Sequence, residues 1–256
     1  MSHSQVDTSK PSNQLLRAQS LSVRFESQPV LDEIDFSVSS GEFVSIVGPS
    51  GCGKTTILRL VAGLIAPSAG SLSIHGEPRS AFVFQEPNLL PWRNVIGNIR
   101  LPLELLRTPL GKQEEAVDRS LKLIQLADSD YLKRPAMLSG GMRMRVSLAR
   151  ALVTQPDILL LDEPFAALDD VLRQRLNEEL LNIWLKQRWT ALFVTHNVGE
   201  AVFLSQRVLV MGAKPGRILE TVEIRFPHPR PPELRADPEF SRIALHIAER
   251  LRGVAE

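Results

Sequence analysis

Apolar residues gather in short runs along this chain: FVSIV at 43–47, AFVF at 81–84, ILLL at 158–161, ALFVT at 191–195 and VLVM at 208–211. Helical patterns separate them, and most of the runs lack polar alternation. Strands that read as continuous apolar runs between helices belong in a mostly parallel sheet covered on both faces, which predicts an α/β core. The stretch from Leu15 to Phe36 alternates instead, as LSVRF and IDFSV, and predicts an antiparallel sheet beside that core. Between Pro87 and Leu152 helical periodicity and prolines occur without a strand of comparable clarity, so this segment reads as a helical lobe of about 87–152 inserted in the sheet order. The run FPHPRPPELR at 226–235 is too rich in proline for regular structure and reads as a connector. An amphipathic helix over 240–251 follows it. The expected divisions are a flexible tail over 1–14, a main domain over 15–225, and the connector with its helix over 226–256.

Composition narrows the partners. With 43% hydrophobic and 23% charged residues in 256, the chain is ordinary globular material. Lys and Arg number 30 against 29 acidic residues, so no whole-chain cationic field exists to collect nucleic acid. The single cysteine, Cys52, excludes an intramolecular disulfide framework and a zinc site built on several thiolates, and suits a reducing compartment. No apolar stretch approaches the roughly 20 residues that span a bilayer, and the polar N-terminus has no secretory h-region.

Chemistry enters at Gly48-Pro49-Ser50-Gly51-Cys52-Gly53-Lys54-Thr55, which fits G-x-x-x-x-G-K-[ST] between the strand FVSIV and the helix TILRLVAGL. Glycines let backbone N–H groups wrap a phosphate at the positive end of a helix, and Thr56 continues the turn. Lys54 reaches the β- and γ-phosphates and the Thr55 hydroxyl takes Mg²⁺. Pro49 has no N–H, so the donors come from its neighbours, and Cys52 reads as a small filler. At the end of ILLL, Asp162 and Glu163 stand where open α/β sheets bind ligands. Asp162 would reach the metal through water, and Glu163 would orient or deprotonate the attacking water.

Met137-Leu138-Ser139-Gly140-Gly141-Met142, followed by RMRVSLARAL, resembles the signature sequence of ABC-type ATPases. The resemblance implies that Ser139 and the N–H groups of Gly140 and Gly141 close on the γ-phosphate of ATP held by a second copy, giving a homodimer that sandwiches two nucleotides. It also implies that Phe25 stacks on adenine and that Gln85 touches Mg²⁺ and moves with the helical lobe. Asp169, in ALD, would pack across the dimer, and His196 would contact the γ-phosphate and the attacking water. Glu163 and His196 are then the expected catalytic pair, and ATP and Mg²⁺ the expected ligands.

NLLPWRNV at 88–95, LSGGM, VGEAVFLSQRVLVM with PGRI, and the tail ELRADPEF are similar to importer ATPases of the nitrate/sulfonate/taurine class. That likeness implies a peripheral subunit on the cytoplasmic face of the inner membrane. It would work with membrane permease subunits, an extracytoplasmic solute-binding protein and a small anionic solute. A cleft near Gln85, with exposed Leu89, Leu90 and Trp92, is the expected permease dock. Competing readings are an importer ATPase for another solute such as a pyrimidine precursor, a non-transport ABC-type machine that clamps nucleic acid, and a P-loop kinase. Departures from the family pattern are Met142, Met144, Asn197 and Gln206; none removes a phosphate ligand.

Overall fold

The structure, a computed structural model, describes residues 13–253. The expected tail falls mostly outside these residues, and Gln14 already begins the first strand, β1 (Gln14–Phe25). β1 pairs antiparallel with β2 (Gln28–Ser39) and with β4 (Ala69–Ile74), giving a three-stranded sheet in the order β2-β1-β4. The central sheet takes β3 (Phe43–Val47), β5 (Ser80–Val83), β6 (Ile158–Asp162), β7 (Thr190–Thr195), β8 (Arg207–Met211) and β9 (Ile218–Glu223). Its order is β5-β6-β7-β3-β8-β9, parallel throughout except for the β8–β9 pair.

Every side chain of β3 and β7 is buried, as the continuous apolar runs require. Successive side chains of a strand point to opposite faces, so the central strands feed two cores. Phe43, Val47, Leu161 and Phe193 pack on one face with α5 (Asp170–Gln187), α6 (Val198–Leu204) and α7 (Pro238–Arg252). Val44, Ile46, Leu160 and Val194 pack on the other with α1 (Lys54–Val61) and the antiparallel sheet. Trp184 of α5 is fully buried edge-on to Phe43, ring centroids 5.8 Å apart, and its indole N–H donates to the Trp189 carbonyl at 2.9 Å.

The expected lobe contains α2 (Val95–Leu105), α3 (Leu110–Leu123) and α4 (Gly140–Leu152) around a third cluster that includes Val95, Ile99, Val117 and Leu121. Several expectations need correction. β5 ends at Val83, and Phe84 leaves the sheet 41% exposed to stack on Phe82. β4 and β9 escaped the sequence reading because both are half-exposed edge strands. The Pro/Arg-rich run is not wholly irregular: Pro232–Ala236 form a 3₁₀ turn, since proline is tolerated in a first helical turn where its missing N–H has no partner to lose. Among the described residues no helix is long and apolar enough to cross a membrane.

Candidate active site

Three adjacent parallel strands, β6, β7 and β3, deliver the chemistry at their C-terminal ends. β3 runs out at Val47 into the glycine loop, where Gly51 and Gly53 adopt φ of 76° and 98°, the left-handed region glycine enters without steric cost. At Gly53 a Cβ would also meet Leu31 Cδ2 at 2.5 Å, so the loop can close only with glycine there. Lys54 opens α1 with 6% exposure; its ammonium donates to the carbonyls of Gly48 at 2.9 Å and Pro49 at 3.0 Å and lies 3.9 Å from Glu163 Oε1. Cys52 is buried in the loop, and burial pushes its thiol pKa up, which keeps it protonated and unreactive.

The Thr55 hydroxyl donates to Asp162 Oδ1 at 3.0 Å. Burial raises the Asp162 pKa, and that hydrogen bond opposes the rise. Neutral and anionic oxygen donors side by side suit a hard divalent cation that fills its remaining positions with phosphate and water. Among the described residues no three His, Cys, Asp or Glu side chains cluster as a metal site. Glu163 follows in the left-handed region, φ 46°, with its N–H bonded to the Val194 carbonyl at 2.9 Å. This turn swings the carboxylate back over the loop, and Oε2 comes 3.1 Å from His196 Nδ1.

His196 is held by its neighbours. The Thr195 hydroxyl donates to the buried carboxylate of Glu200 and accepts from Asn197 N–H at 3.0 Å, while the Asn197 side chain caps α6 by accepting from Glu200 N–H at 3.1 Å. Asn177 of α5 donates to the other Glu200 oxygen at 3.4 Å. This ring leaves the imidazole 57% exposed and aimed at Glu163. Thr195, Asn177 and Glu200 were missed in the sequence, although Asn197 with Glu200 three residues on is a recognisable helix-start pattern.

Lys54, Thr55, Asp162, Glu163 and His196 thus come together, with Gly48, Pro49, Ser50, Gly51, Cys52, Gly53 and Thr56 forming the loop and first turn beneath them. The other expected residues lie apart. Phe25 ends β1 at 47% exposure, and Gln85 is exposed beyond β5 without a side-chain hydrogen bond among the described residues. Ser139 caps α4, accepting from Met142 N–H at 3.3 Å. Gly141 lies against α5, where a Cβ would strike Leu172 Cδ2 at 2.8 Å. Asp169 caps α5 by accepting from Leu172 N–H at 2.9 Å.

The expected dock also changes. Leu89 packs against the lobe's own core and Leu90 is half-buried, leaving Trp92 exposed at 67%. A more apolar groove of about 430 Å³ lies where lobe meets sheet edge, lined by Phe82, Pro102, Leu105, Leu106 and Arg150.

A family model described as ABC transporter matches residues 31–166. The aliphatic sulfonates import ATP-binding protein SsuB 1 of Mesorhizobium japonicum is 44% identical over 237 residues, covering 90% of this chain and 86% of that protein. The nitrate import ATP-binding protein NrtD of Synechococcus elongatus is 41% identical over 223 residues, 83% and 81% of the two chains. Among solved structures, a dimeric ATP-binding cassette in a post-hydrolysis state with ADP and Pi superimposes with a TM-score of 0.72 at 26% identity, covering 83% of this chain and all of that one.

Proposed function

Because this chain belongs to the ABC transporter family and is an ATPase of it, we propose that it powers an importer for a small anionic solute such as a sulfonate, taurine or nitrate. The observation that carries the catalytic part is the Glu163 carboxylate, placed between His196 Nδ1 at 3.1 Å and Lys54 Nζ at 3.9 Å above the glycine loop. The identity to sulfonate and nitrate import subunits supports the solute class.

In this reading ATP lies on the loop with its phosphates on the N–H groups of residues 50–56, and Phe25 stacks on adenine. Lys54 neutralises the β- and γ-oxygens. Thr55 and Asp162, with Gln85 as a further ligand, would hold Mg²⁺, which would supply charge neutralisation at the phosphates. Glu163 accepts a proton from the attacking water, which forms a bond to the γ-phosphorus as the bond to the bridging oxygen of ADP breaks. His196 holds that water and a γ-oxygen in line. Ser139 and the N–H groups of Gly140 and Gly141 stand at the positive end of α4. They serve the nucleotide of a second copy, and Asp169 packs across the same dimer face.

The chain sits on the cytoplasmic face of the inner membrane against permease subunits, which receive solute from an extracytoplasmic binding protein. Nucleic acid is not a partner. The groove between Phe82, Leu105 and Leu106 takes a cytoplasmic segment of the permease.

Light-scattering mass of Glu163→Gln, with and without ATP and Mg²⁺, tests the shared site. Loss of the base should trap the closed pair and double the mass; a variant that binds ATP yet stays monomeric refutes it. Uptake of labelled sulfonate, taurine and nitrate, compared between cells with and without this chain, tests the solute class.

A further inference from the structure

The Pro/Arg-rich run has no part in the chemistry above, yet it makes the most deeply buried cationic contact outside the phosphate loop. Arg230 is 5% exposed. Its guanidinium donates to the carbonyls of Val202 at 3.0 Å, Phe203 at 2.9 Å and Ser205 at 2.9 Å, and to those of Ile224 and Phe226. No carboxylate pairs with it among the described residues, and burial lowers its pKa to about 10, so it stays charged at neutral pH. Val202 and Phe203 lie in the last turn of α6, whose carbonyls have no partners within the helix and carry the negative end of its dipole. Arg230 therefore caps α6 from outside.

A second arginine of the run grips the same helix. The Arg235 guanidinium carbon lies 3.6 Å from the centroid of the Phe203 ring, and its Nη1 donates to Glu178 of α5 at 2.8 Å. The other end of α6 is the hydrogen-bonded ring of Thr195, Asn197 and Glu200 that aims His196 at Glu163. α6 is only seven residues long, so a tilt at one end must appear at the other. We propose that Arg230, supported by Arg235, is a positioning residue for His196 and acts through α6.

This inference rests on the reading of His196 as the group that acts beside Glu163. Its consequence is specific: the Pro/Arg-rich run tunes turnover without touching nucleotide. Misplacing a catalytic group by about 1 Å costs on the order of 100-fold in rate, so partial release of α6 should cost about tenfold.

The test uses the full chain and ATP hydrolysis. Arg230→Ala should lower kcat about tenfold and leave KM for ATP within about twofold, the pattern of a lost transition-state interaction. Arg235→Ala, which leaves every buried carbonyl satisfied and so keeps the fold, should lower kcat in the same direction by about threefold. A cavity of about 450 Å³ beside Arg230, lined by Glu178, Asn182, Pro229, Pro231 and Pro232, gives free guanidinium an approach to the vacated position. Guanidinium well below denaturing concentrations should therefore restore turnover to Arg230→Ala.

His196→Ala, measured in parallel, separates the two readings. If it abolishes turnover while both arginine variants turn over like the parent, the inference is overturned and the active-site reading stands. If His196→Ala itself turns over like the parent, the active-site reading fails. A fall in kcat with an equal loss of ATP affinity and no guanidinium recovery shows a merely structural arginine and also overturns the inference.

Discussion

Glu200 offers a test in which two substitutions at one position should move stability in opposite directions. It is 6% exposed, and desolvation raises its pKa above the ordinary carboxylate value against the opposing hydrogen bonds from Thr195 and Asn177. A carboxyl whose folded pKa lies above its unfolded one gives stability that is complete below the unfolded pKa, near 4.5, and is lost as pH rises through the folded value. Above pH 4.5 the group therefore takes stability away from the fold, increasingly as pH rises.

Glu200→Gln removes that charge and keeps an acceptor for the Thr195 hydroxyl. Its new amide N–H₂ can meet Asn177 Oδ1, a buried oxygen without a partner, once the Asn177 amide turns over. That exchange leaves the number of hydrogen bonds unchanged, so the gain is relief of desolvation, on the order of 1 kcal/mol. For a domain of this size about 1 kcal/mol raises Tm by about 2–4 °C. Glu200→Ala, by contrast, strands the Thr195 hydroxyl and the Asn177 amide and opens a small cavity, at about 3 kcal/mol. Urea unfolding of parent and both variants at pH 5 and pH 8 provides the measurement. The advantage of Glu200→Gln should grow from the lower pH to the higher. If that variant is less stable than the parent at pH 8, or its advantage is independent of pH, the argument is wrong.

Two further outcomes follow from the site and its surroundings. Thr55→Val removes the hydroxyl bonded to Asp162 and should raise the Mg²⁺ concentration for half-maximal hydrolysis about tenfold, equivalent to about 1.4 kcal/mol, while nucleotide binding without Mg²⁺ changes little; an unchanged Mg²⁺ titration excludes the threonine as a ligand. His228 has its pKa lowered to about 4 by burial and by Arg230 and Arg188, so stability should fall as pH drops from about 6.5 towards 4, by about 1–2 kcal/mol after allowance for its partial exposure. His228→Phe should flatten that limb in a pH series of urea melts, and an undiminished slope assigns the acid sensitivity elsewhere.

The central strands were legible because burial on both faces demands uninterrupted apolar residues, as in β3 and β7. The phosphate loop was legible because its backbone needs glycine at 51 and 53 and its lysine follows at once. Edge strands impose weaker demands. β4 carries Gly70 and two serines, and only the alternation of ILETVE marked β9. Arg230 was hidden for another reason. An arginine in a proline-rich run reads as a solvated charge, and the acceptors that bury it are the backbone carbonyls of a distant helix, which no residue pattern announces. The same holds for Gly141. It reads as a phosphate ligand in the signature motif, and its packing against Leu172 needs the fold to be seen.

α4 is the part of the structure that best joins the site's two halves. Ser139 stands at its start; Arg150, near its end, donates to the carbonyls of Pro87 at 2.7 Å and Asn88 at 2.8 Å, directly after Gln85. One face of the helix, through Met144, Leu148 and Leu152, lies in the core cluster, and another, through Val146 and Ala149, lies in the lobe cluster. Arg145 adds an ion pair to Glu179 of α5 at 2.5 Å, and α5 is the helix capped by Asp169. The 87–152 segment is therefore not a lobe hung on the core by its two ends. Its signature helix is tied to α5 at Gly141 and Arg145, and at its C-terminal end to the carbonyls of Pro87 and Asn88. A displacement of residues 87–88 has to be carried to α4 or break the two Arg150 hydrogen bonds, and a displacement of α5 acts on Asp169 and on the Leu172 contact with Gly141 together. The Ser139 end of α4 is thus coupled through α5 to Asp169 and through Arg150 to the segment that follows Gln85.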